Sequence, residues 1–138
     1  QFIKGSWMTG ERKLLSDMFP NQVQFVASGE GFTWETQDKD RDIAAAQEGW
    51  AKAKSFILDP SIRFVLLDEI NIALRYDYIS IDEVVDFLLF EKPTMTHVCL
   101  TGRNAKTELI EAADMVTDME AIKHPFREGI KAQKGIEF

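Results

Sequence analysis

With 138 residues, 45% of them hydrophobic, the chain is long enough for one α/β-sized domain with a sizeable core. Its 16 Lys and Arg against 23 Asp and Glu leave a net charge of -7. That is the wrong sign for a phosphate backbone, so no nucleic acid is expected as a partner. No apolar stretch approaches the roughly 20 residues of a bilayer span, and the single Cys99, set in an apolar run, reads as a buried thiol without an internal partner; a soluble, cytoplasmic domain with no membrane attachment is the expectation.

Five short β-type runs stand out, at Phe2 to Lys4, Val23 to Ala27, Arg63 to Asp68, His97 to Thr101 and Met115 to Met119. Helical patterns fill the gaps. A short helix around Glu11 to Met18 would turn Leu14, Leu15 and Met18 inward. From Ile43 the apolar positions Ile43, Ala46, Trp50, Ala53 and Ile57 recur every three or four residues, the signature of an amphipathic helix that ends before Pro60. Phe64-Val65-Leu66-Leu67 is then an unbroken apolar run, as expected of a strand covered on both faces. Ser80-Ile81-Asp82-Glu83 forms a capping box, with Ser80 as N-cap, Glu83 reaching back, and Ile81, Val84, Val85, Leu88 and Leu89 as the buried stripe. A further helix is expected after Asn104, burying Leu109 and Ala112 or Ala113. This alternation implies an α/β fold: a mostly parallel sheet with right-handed crossovers and helices on both faces.

In a parallel sheet the strand ends deliver Lys4-Gly5, Ser28-Gly29-Glu30-Gly31, Asp68-Glu69 and Thr101-Gly102-Arg103 to one edge, where open α/β sheets take their ligands. Any one of these glycines taken alone reads sooner as an ordinary turn residue; their convergence favours a ligand edge. Asp68 and Glu69 read either as solvated acids at a strand end or as oxygen ligands for Mg2+ shared with substrate phosphates. Phe32 and Trp34, in Glu30-Gly31-Phe32-Thr33-Trp34, read either as core plugs or as an apolar platform for a large flat ligand, a wall that Trp7 could join. His97 and His124 have no second ligand at metal spacing and read as structural. No G-x-x-x-x-G-K-[ST] phosphate loop occurs between Gln1 and Phe138.

Taken in order, Gln1-Phe2-Ile3-Lys4-Gly5, Gly31-Phe32-Thr33-Trp34-Glu35-Thr36-Gln37, Val65-Leu66-Leu67-Asp68-Glu69, Thr101-Gly102-Arg103, Lys123-His124-Pro125-Phe126 and the tail from Gly129 to Phe138 resemble the ATP:corrinoid adenosyltransferases of the P-loop type. The resemblance spans essentially the whole chain. It implies a RecA-like fold of the P-loop NTPase kind that binds MgATP beside a cobalt corrinoid and transfers the 5′-deoxyadenosyl group to cobalt, with triphosphate leaving in one piece. It also implies that the cobalt is first reduced to Co(I), and that protein aromatics assist by removing the lower axial ligand. By motif, Phe32 and Trp34 fall on the lower corrinoid face, and Glu69, ahead of Asp68, is the candidate for direct Mg2+ contact. Gly31, Lys4 and Arg103 complete the implied ligand-binding set, Arg103 either touching phosphate or tying down its loop. A homodimer, a reduced flavoprotein as electron donor, and a place in adenosylcobalamin biosynthesis or salvage are further implications.

Family members carry their phosphate loop on a strand and helix upstream of the strand that begins here at Gln1. The expectation is therefore a carboxyl-terminal portion lacking the first strand, phosphate loop and first helix, with weakened triphosphate binding and unpaired edges on the strands that would flank the missing one. Two further readings belong to other classes: a non-catalytic corrinoid-binding fragment, and a generic RecA-like ATPase in which the aromatics only fill core.

Overall fold

A computed structural model describes residues 1–2, 10–28 and 39–133. They fall into two compact units, Gln1–Trp7 with Val26–Ala113, and Met8–Phe25 with Asp114–Phe138.

In the first unit the long amphipathic pattern becomes helix α2, Lys39–Ile57, with Asp40 and Asp42 in the first turn, where the helix dipole favours negative charge. Ala46, Trp50, Ala53 and Ile57 are buried, as their spacing predicts, and the burial of Ile57 alone is worth about 2 kcal/mol. Gly49 lies on the same face. A Cβ there would sit 2.5 Å from Ser28 Oγ and 2.7 Å from Ser28 Cβ, so the absence of a side chain lets the helix press on the backbone segment that carries Ser28.

Strand β1, Phe64–Leu67, pairs in parallel with β2, His97–Leu100, in the register Phe64↔His97 to Leu67↔Leu100. Beyond β1's other edge, the Phe2 N–H donates to Asp68 O at 2.9 Å, and Phe2 makes a parallel bridge with Ser28. Between β1 and β2 run α3 (Ile70–Arg75), α4 (Ile81–Asp86) and a π-helical turn (Phe87–Glu91); α5 (Thr107–Ala112) follows β2. This is α/β architecture with parallel pairing. β1 and β2 are direct hydrogen-bonded neighbours.

The structure corrects several expectations. β1 alternates rather than being covered on both faces: Val65 and Leu67 enter the core, while Phe64 and Leu66 are 60% and 51% exposed, because the buried apolar cluster lies on one side of the strand. Cys99, in register with Leu66, is accordingly half-buried rather than buried. Ser80 caps α4 by accepting from the Glu83 N–H, but the Glu83 carboxylate does not reach back. It accepts instead from Trp50 Nε1 at 2.8 Å and Lys54 Nζ at 2.7 Å, tying α4 to α2. Leu89 leaves the predicted stripe because Lys92 N–H donates to Phe87 O, five residues back; the extra residue in that turn puts Phe87 inside and Leu89 out. Leu109 is buried on α5, as expected.

In the second unit, α1 spans Gly10–Met18. Leu15 is half-buried, but Leu14 and Met18, expected inward, are exposed. Residues 115–119 form no strand: no strand of this unit lies beside them among the described residues, so their backbone has no ladder to join, and Met115 and Met119 are exposed. His124 is structural, its Nδ1 accepting from the Phe126 N–H at the start of a 3-10 turn, Pro125–Glu128.

Candidate functional site

The carboxyl ends of β1 and β2 meet through side chains. Thr101, the residue after β2, donates from Oγ1 to Asp68 Oδ1 at 2.8 Å, and the same Oγ1 accepts from the Glu69 N–H at 3.2 Å. Asp68 Oδ2 accepts from Gln1 Nε2 at 2.7 Å, so both oxygens of this carboxylate take side-chain donors from neighbouring segments. The edge predicted to gather strand ends is assembled around Asp68, with Gln1 on one side and Thr101 on the other.

Glu69 adopts φ 62, a left-handed conformation that a residue with a side chain seldom takes. The turn lets the chain leave the strand and enter α3 at once, with Glu69 as N-cap residue but without its carboxylate capping the helix. One carboxylate oxygen, Oε2, is buried and has no hydrogen-bond partner among the described residues. Gly102 packs under it at φ 126; a Cβ at that position would lie 3.2 Å from Glu69 Oε2 and 3.0 Å from Asn71 Cβ. Here glycine is required both by the backbone angle and by the space the carboxylate occupies. Arg103 follows, exposed and without an ion pair among the described residues.

The structure thus brings together Asp68, Glu69 and the Thr101-Gly102-Arg103 turn. Lys4, Gly31, Phe32 and Trp34 lie outside the described residues. The residue that sequence reading passed over is Asn71, which is 6% exposed and donates from Nδ2 to Gly102 O at 3.5 Å. Its signal was present as a single amide inside the otherwise apolar Ile70-Asn71-Ile72-Ala73-Leu74, the kind of polar residue that is buried only with a purpose.

Chemically, this edge is rich in oxygen acceptors. Among the described residues no group of three or more His, Cys, Asp or Glu could hold a metal by itself. A hard cation bound by Glu69 would have to complete its sphere with water and with oxygens of a ligand.

Parallel strands with charge, threonine and glycine at their carboxyl ends are the arrangement of α/β proteins that take ligands at that edge. The chain belongs to the ATP:corrinoid adenosyltransferases: the family described as ATP:corrinoid adenosyltransferase BtuR/CobO/CobP matches residues 1–138. It is 65% identical over all 138 residues to a corrinoid adenosyltransferase of Sinorhizobium sp., covering 64% of that protein. It is 50% identical to a corrinoid adenosyltransferase of Pseudomonas aeruginosa, covering all of this chain and 67% of the relative. Against a corrinoid adenosyltransferase of Escherichia coli K12 the identity is 44%, again over the full chain and 68% of the relative. The chain therefore spans about two thirds of the length of the relatives it matches. Among the described residues no helix is long and apolar enough to cross a membrane.

Proposed function

We propose that this protein transfers the 5′-deoxyadenosyl group of MgATP to the Co(I) centre of a corrinoid substrate and releases triphosphate, in the biosynthesis or salvage of adenosylcobalamin. Membership of the adenosyltransferase family supports the reaction class. The observation that carries the site is the buried Glu69 Oε2, a carboxylate oxygen without a donor among the described residues, at the carboxyl edge of a parallel sheet. Asp68 already takes donors from Thr101 and Gln1 on its two oxygens, so its part is to hold the edge in shape. Glu69, with an oxygen to spare, is the residue that holds Mg2+. When bound, the cation would offset triphosphate charge and help that group depart from C5′.

In this reaction the cobalt electron pair forms the Co–C bond as the C5′–O bond breaks, and the released pair leaves with triphosphate. The protein's own share is orientation and exclusion of water. Phe32 and Trp34 supply the apolar surface under the corrinoid, displacing its lower axial ligand. Gly31 allows the backbone close to that ring, and Lys4 and Arg103 meet the anionic side of the nucleotide. The working protein is a cytoplasmic homodimer that takes electrons from a reduced flavoprotein.

Product analysis of the whole protein tests this. With ATP, a cob(II)alamin substrate and a strong reductant, adenosylcobalamin and triphosphate should appear in equal amounts. ADP and phosphate formed without regard to corrinoid would replace the proposal with a generic ATPase. Corrinoid binding without turnover would replace it with a non-catalytic binding role.

A further inference from the structure

Asn71 sits two residues beyond Glu69, between Ile70 and Ala73, both of which are 0% exposed. A buried amide oxygen is normally hydrogen-bonded, because leaving it unpaired costs about 1–3 kcal/mol. Asn71 Oδ1 has no partner among the described residues, and neither has Glu69 Oε2. The amide orientation follows from chemistry: Nδ2 faces the carbonyl of Gly102, and exchanging the two ends would set oxygen against oxygen. Both side chains flank the same glycine, with Asn71 Cβ at 3.0 Å and Glu69 Oε2 at 3.2 Å from where a Gly102 Cβ would stand. Two acceptors cannot satisfy each other, and among the described residues nothing donates to either, which leaves both open to a donor on a bound group.

The geometry points to Asn71 as a positioning residue of this site, whose Oδ1 accepts a hydrogen bond from a water on the divalent cation that Glu69 holds. This rests on the assignment of Glu69 made above. Mg2+ keeps several of its waters when bound by one or two carboxylates, and those waters are strong donors. An acceptor fixed in the protein wall locates the cation relative to the triphosphate. Asn71 suits the task because it is rigidly buried and uncharged, and so adds no second negative charge beside Glu69.

Mn2+ serves as the probe, titrated into the whole protein with ATP present and followed by electron paramagnetic resonance. Asn71→Leu keeps the bulk but removes the acceptor. It should weaken Mn2+ binding about 10-fold, the usual loss when an outer partner of a metal ligand is removed, and change the spectrum of the bound ion. Its thermal midpoint should be unchanged or higher, since an unsatisfied acceptor has gone, and a purely structural Asn71 would leave Mn2+ affinity alone. Asn71→Asp retains an acceptor and should bind Mn2+ at least as tightly as the native protein; should the Leu variant fail to fold, this variant decides the matter. A folded Leu variant with native Mn2+ affinity, or an Asp variant with weakened affinity, overturns the assignment. Glu69→Gln separates the two levels. If it abolishes Mn2+ binding while Asn71→Leu does not, only the role of Asn71 falls. If the native protein takes up no Mn2+ beside ATP, both assignments fall.

Discussion

Thr101 Oγ1 joins the two acidic residues at the end of β1, donating to Asp68 Oδ1 at 2.8 Å while accepting from the Glu69 N–H at 3.2 Å. One hydroxyl serves both partners, so its removal takes a donor from a part-buried carboxylate and an acceptor from a backbone N–H together. Thr101→Val preserves shape and deletes the hydroxyl. Stability should fall by about 1–3 kcal/mol, read as a lower urea midpoint with an unchanged slope. A midpoint equal to that of the native protein would mean that water replaces the hydroxyl without loss.

Gly102→Ala places a methyl 3.2 Å from Glu69 Oε2 and 3.0 Å from Asn71 Cβ and forces alanine to φ 126. The carboxylate must give by about a few tenths of an ångström, and displacements on the scale of an ångström can cost about 100-fold in rate. Adenosyl transfer should drop at least about 10-fold, with a stability loss of about 1–3 kcal/mol from the strained backbone. Steady-state assays alongside thermal melts check this, and native kinetics in the variant would show that the Glu69 position is unimportant.

These two residues also show how much could be read from sequence. The acid pair and the Thr-Gly-Arg turn were legible because strands end in recognisable ways and parallel pairing sends those ends to one edge. Helix α2 was legible for a similar reason, since the spacing from Ile43 to Ile57 repeats with the helical period over several turns. What was not legible depends on tertiary partners. Glu83 looked like half of a capping box, yet Trp50 and Lys54 on another helix claim its carboxylate. The run Phe64 to Leu67 is equally apolar on both sides, and composition alone cannot say that the core lies on only one of them. Asn71 carried a signal only in being out of place.

Trp34→Ala separates a corrinoid platform from a core plug. Under the proposed function, adenosyl transfer should fall by about 100-fold or more, as when an interaction specific to the reacting state is lost, while the melting temperature moves by only a few degrees. A plug would show the opposite balance, with stability falling by about 3–5 kcal/mol and residual activity tracking the folded fraction.

Glu83 predicts a pH dependence. Its carboxyl is held below the usual value of 4.5, first by the hydrogen bond from Lys54, against the opposing effect of burial, and then by the hydrogen bond from Trp50 and the charge of Lys54. A lowered folded pKa means that the stabilisation is complete above the unfolded value and disappears as the pH falls through the folded one. Glu83→Gln should therefore be less stable than the native protein at about pH 6, with the gap closing below 4.5. Urea midpoints measured between about pH 3 and pH 6 follow this directly. A gap that stays constant across the range would assign the loss to the Trp50 hydrogen bond rather than to charge.

Gly49→Ala sets two effects against each other. In the middle of α2, alanine is favoured over glycine by about 1 kcal/mol in helix propensity. Against that, the new Cβ would stand 2.5 Å from Ser28 Oγ, 2.7 Å from Ser28 Cβ and 3.1 Å from Phe2 Cε1. The hydroxyl can rotate away, but the Cβ of Ser28 is fixed to backbone that bonds Gln1 O, so the helix itself has to lift. Overpacking of this kind costs about 1–3 kcal/mol. The steric term wins, and the variant should be destabilised by up to about 2 kcal/mol net. Gly49→Ala combined with Ser28→Gly should recover most of the helix gain, because the two closest crowding atoms are gone and only the end of the Phe2 ring, at 3.1 Å, has to give. A single variant more stable than the native protein would show that α2 does not rest on the Ser28 backbone.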